Sequence, residues 1–160
     1  MSLRERLSAR FGRAARPSGD MPDEALDPVA RREFLRRALD ENLLQAVQEG
    51  EIGPGGRAGW LAEHLEIYVN RCVGFAALPS AGAGPVLGSS FFWLVEIGTE
   101  ALRRELEASP PAPGAGDAWR AYLRALESTG ASGDFESLAT AAGTLRAALG
   151  GADPYGREHV

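Results

Sequence analysis

An imidazole inside an apolar stretch, a lone thiol and two groups of glutamates are the parts of this chain whose types and spacing could do chemistry. His64 stands between Glu63 and Glu66, and Glu96 and Glu100 are four residues apart. Helical dinuclear metal centres take their ligands from carboxylates and histidines that project inward from facing helices. An oxygen-rich pocket would form here if those two faces met. The repeated Glu-x-x-His pair of such centres is absent from the sequence, however, and no metal site is favoured. Glu96 and Glu100 precede Arg103 and Arg104 at a spacing that supports a solvated helix edge.

Cys72 is the one cysteine. A thiol becomes a nucleophile when its surroundings lower its pKa or place a base beside it. His64 is eight residues earlier, about two helical turns away, out of reach of a direct hydrogen bond on one helix. A small buried thiol is the favoured reading. No catalytic residue is assigned on these grounds, and the sequence leaves open whether the chain is an enzyme.

The aromatic residues have two readings. Trp60, His64, Tyr68 and Phe75 fall close to one stripe of a helix, and Phe92, Val95 and Thr99 follow a helical repeat further along. Apolar walls carrying a few polar groups are the usual recipe for a small-molecule pocket. Trp60, His64 and Tyr68 facing Phe92, Val95 and Thr99 are therefore the candidate ligand or cofactor contacts, with no cofactor named by them. The same aromatics also predict ordinary core packing, because each removes a large apolar area from water. The glycine-rich stretches at residues 53–56 and 82–88 lack the lysine of a phosphate loop and follow no strand.

The elements that must position these residues read as helices. Apolar periodicity between proline- and glycine-rich breaks predicts helices over residues 28–49, 57–78, 89–108, 117–128 and 135–149. No alternating strand pattern interrupts them. The fold class is all-α, a compact helical bundle of five or six principal helices joined by short breaks. In the first predicted helix, Val29, Leu35, Leu39, Leu43 and Val47, with Phe34, form the apolar side. Residues 1–16 are expected to form a basic amphipathic arm on Leu3, Leu7 and Phe11. Residues 17–27 make a linker and cap, residues 28–150 the helical domain, and residues 151–160 a C-terminal tail that frays or lies on the surface.

Composition limits the function classes. With 44% apolar and 24% charged residues among 160, the chain can bury one core and solvate its exterior. No apolar run approaches the roughly 20 residues of a transmembrane helix, and the first residues lack the apolar centre of a secretory signal. A cytoplasmic location is the expectation, consistent with a single cysteine. All 17 basic residues are arginines, so Schiff-base lysine chemistry is excluded. The net charge of -5 opposes general nucleic-acid binding. Arg4, Arg6, Arg10, Arg13 and Arg16 can touch phosphate but do not read bases, so no sequence-specific nucleic-acid recognition is expected.

The stretch from Phe34 to Leu78, with QAVQEGEIGPGG followed by WLAEHLEIYVNR, resembles the opening helices of TenA-like and haem-oxygenase-like helical proteins. The resemblance implies a helix feeding through a glycine-containing turn into another that lines a ligand pocket. Glu63, His64 and Tyr68 would then be the positions of small-molecule contact. The run from IYVNR to FFWL is also similar to helical partner proteins of metal-dependent peptide-modifying enzymes.

Each reactive group in the sequence has a structural role that explains it at least as well. The expected function is thus a non-catalytic interaction or accessory protein, its partner another protein or a second copy of itself. The alternative is a small-molecule or cofactor-binding protein of the TenA-like or haem-oxygenase-like kind, with or without enzymatic activity.

Overall fold

In a computed structural model of the chain, residues 27–78 and 83–156 are described. Among them all regular structure is helical: α1 (Pro28–Gln48), α2 (Gly56–Ala76), α3 (Ala83–Leu87), α4 (Ser90–Ala108), α5 (Pro113–Ser132) and α6 (Phe135–Ala148). The all-α class and the number of helices agree with the sequence pattern. The basic arm at residues 1–16, and all of the linker before Asp27, lie outside the described residues. The described residues divide into two compact units, with the boundary between Glu51 and Ile52 in the segment where glycine and proline break the helical pattern.

In the first unit, α1 starts where the sequence signals a start. The Asp27 carboxylate accepts the Ala30 amide at 2.9 Å, and Pro28 occupies a first-turn position that needs no amide donor. Its buried stripe is Ala38, Leu39, Asn42, Leu43 and Ala46. This shifts the predicted face. Val29 is 77% exposed and Val47 is also exposed, while two alanines are buried in their place. On the solvent side Arg36 pairs with Glu33 and Asp40.

The second unit is built around α2. Every residue from Gly59 to Val69 is buried, so this helix is covered around its circumference and not on one stripe alone. Helices α4 and α6 both pack on it, and α5 packs on α6. Two contacts set the direction of α4. Arg57 at the start of α2 reaches Glu105 near the end of α4, Nε to Oε1 at 2.8 Å, and Phe75 near the end of α2 meets Phe91 at the start of α4, ring centroids 5.8 Å apart. The two helices are therefore antiparallel. Phe92 and Phe135, 6.1 Å apart, bring the starts of α4 and α6 together, so those two run the same way. The four long helices of this unit alternate in direction along the chain, as short connections favour.

Two glycines permit the close approaches. A Cβ on Gly98 would lie 2.9 Å from Leu65 Cδ2 and 3.6 Å from the Tyr68 ring, so the missing side chain lets α2 seat against α4. A Cβ on Gly55 would lie 2.5 Å from the Leu149 carbonyl oxygen, which places the end of α6 directly on the backbone at the start of α2.

Three boundaries differ from the sequence reading. Helix α5 begins at Pro113, inside the proline-glycine segment expected to separate helices, because proline suits a first helical turn. The short α3 lies in the stretch expected to be irregular. Gly151 and Pro154 are buried, so the segment expected to fray is packed at its beginning.

Candidate functional site

Trp60, His64 and Tyr68 recur every four residues on α2 and stand together in the interior. The His64 ring stacks on Trp60 at 3.6 Å between centroids and 27° between planes, and meets Tyr68 edge-on at 6.3 Å. Its Nδ1 lies 2.8 Å from the Trp60 carbonyl oxygen. That oxygen can only accept, so the proton of the neutral ring sits on Nδ1. His64 is 2% exposed, and burial pushes its pKa down to about 4, opposed by the hydrogen bond to Trp60. The ring is neutral at physiological pH. Burial also raises the Tyr68 hydroxyl far above the usual phenol range, with Arg71 opposing it.

The other three candidates sit on α4 and make their described contacts elsewhere. Phe92 turns its ring to Phe135 on α6. Thr99 donates its hydroxyl proton to the Val95 carbonyl at 2.6 Å and lies 2.7 Å from the Tyr122 hydroxyl on α5. Val95 is buried. Between these positions Leu65 and Tyr68 fill the seam against Gly98.

The glutamates beside His64 are held by the other side of the bundle. Glu66 Oε2 accepts Arg146 Nε at 2.9 Å, and both side chains are buried. Arg146 also donates to the Gly151 carbonyl at 3.3 Å, and Glu63 Oε1 accepts the Ala152 amide at 2.6 Å. These bonds tie α2 to α6 and to the segment after it. Glu100 is exposed and pairs with Arg103 at 3.2 Å, the solvated edge read from the sequence. Among the described residues no group of three or more histidine, cysteine, aspartate or glutamate side chains is arranged to hold a metal ion.

Cys72 is fully buried, and burial pushes its thiol up to about 12. A group held so far from ionisation is a small apolar side chain in practice. An open cleft of about 490 Å³ lies where the end of α4 meets the start of α5, with Trp119 and Leu106 in its wall and Arg103 and Arg120 beside them.

Arg146 and Tyr122 organise this interior, and sequence reasoning did not single them out as functional. The signal for Arg146 is its place four residues after Ala142 on the buried stripe of α6, where an arginine calls for an anion. For Tyr122 it is a hydroxyl on the apolar face of α5, which requires a polar partner once buried.

No protein-family model matches the chain, and no curated protein and no solved structure shows significant similarity to it.

Proposed function

We propose that this chain is a non-catalytic interaction or accessory protein whose partner is another protein or a second copy of itself. The observation that carries the reading is the Glu66–Arg146 pair. The carboxylate beside the single imidazole of the described helices is bonded to a guanidinium on another helix, leaving it to hold the fold together. The neighbouring groups support the same reading. His64 stays neutral against Trp60, the Cys72 thiol stays protonated, and Thr99 and Tyr122 satisfy each other. Nucleophilic and acid–base catalysis require such groups to change protonation near neutral pH or to reach a substrate.

Native mass spectrometry of the tagged chain, purified from its own cell without added cofactors, tests this directly. The expected result is a defined assembly with a second protein chain in fixed stoichiometry. Consistent recovery of a partner-free monomer carrying a small molecule would overturn it.

A further inference from the structure

We draw no further inference here: the strongest candidate, the open cleft of about 490 Å³ where the end of α4 meets the start of α5, is lined by Arg103 and Arg120 together with Glu107 and Asp117, whose charges cancel, and nothing in the structure shows what would fill it.

Discussion

Tyr122 donates its hydroxyl proton to Thr99, 2.7 Å away, because Thr99 has already given its own proton to the carbonyl of Val95. The direction of this hydrogen bond makes the two residues unequal under substitution. Tyr122→Phe removes a donor and leaves Thr99 bonded to Val95, at a cost of about 1 kcal/mol. Thr99→Val strands a fully buried phenol hydroxyl, which costs about 1–3 kcal/mol. Equilibrium urea unfolding should therefore rank Thr99→Val below Tyr122→Phe. The double variant should be more stable than the sum of the two losses implies. Additive losses would refute the proposed coupling.

Glu66 and Arg146 form the buried ion pair between α2 and α6. Removing one partner leaves an uncompensated charge in the interior, so Glu66→Gln and Arg146→Met should each destabilise the chain by about 3–5 kcal/mol. Replacing both by apolar residues, Glu66→Leu with Arg146→Met, should recover most of that loss, since the cost of taking both charges out of water offsets most of their mutual attraction. Thermal melts of the three proteins check this. A double variant no better than either single one would place the energetic weight on the Arg146 bond to the Gly151 carbonyl instead.

His64 gives the fold an acid-sensitive element. In the unfolded chain its imidazole takes up a proton near pH 6.5, whereas burial holds the folded value at about 4. Between those values the unfolded state binds more protons. Stability contributed by neutral His64 is fully present above pH 6.5 and is lost as the pH falls towards 4. The full loss is about 3 kcal/mol. Urea midpoints measured from pH 7.5 to 4 should decline along this limb, and His64→Phe, which keeps an aromatic ring on Trp60, should make it shallower. An unchanged slope in the variant would assign the acid sensitivity to other groups.

The parts of this fold that follow local rules were legible in the sequence. The Asp27–Pro28 start of α1 and the long apolar runs of α2 and α4 produce helices where periodicity places them. Alanines are less visible to a pattern weighted by large side chains. Ala38 and Ala46 are buried on α1, while Val29 and Val47 face solvent. Pro113 belongs to a proline- and glycine-rich break in the sequence pattern because proline interrupts a helix interior, yet the same ring suits the first turn. Long-range partnerships escape local spacing altogether. Glu66 and Arg146 are 80 residues apart, so only the packing of α6 on α2 makes one the partner of the other. Trp60, His64 and Tyr68 are four residues apart on one helix, so their ring contacts follow from local spacing. Where Phe92 and Thr99 would find their neighbours depended on α5 and α6, which the spacing on α4 does not encode.

We propose that the imidazole and the thiol serve the fold while the chain binds a protein. It is tested most directly by the double variant His64→Phe/Cys72→Ala, which removes both reactive groups from α2. Circular dichroism and a thermal melt first establish that the variant is folded. The tagged variant and the wild-type chain are then purified from the native cell and compared by native mass spectrometry. Both should give the same protein assembly with the same stoichiometry. A folded variant that loses the assembly, or that loses a small molecule carried by the wild-type chain, would contradict it.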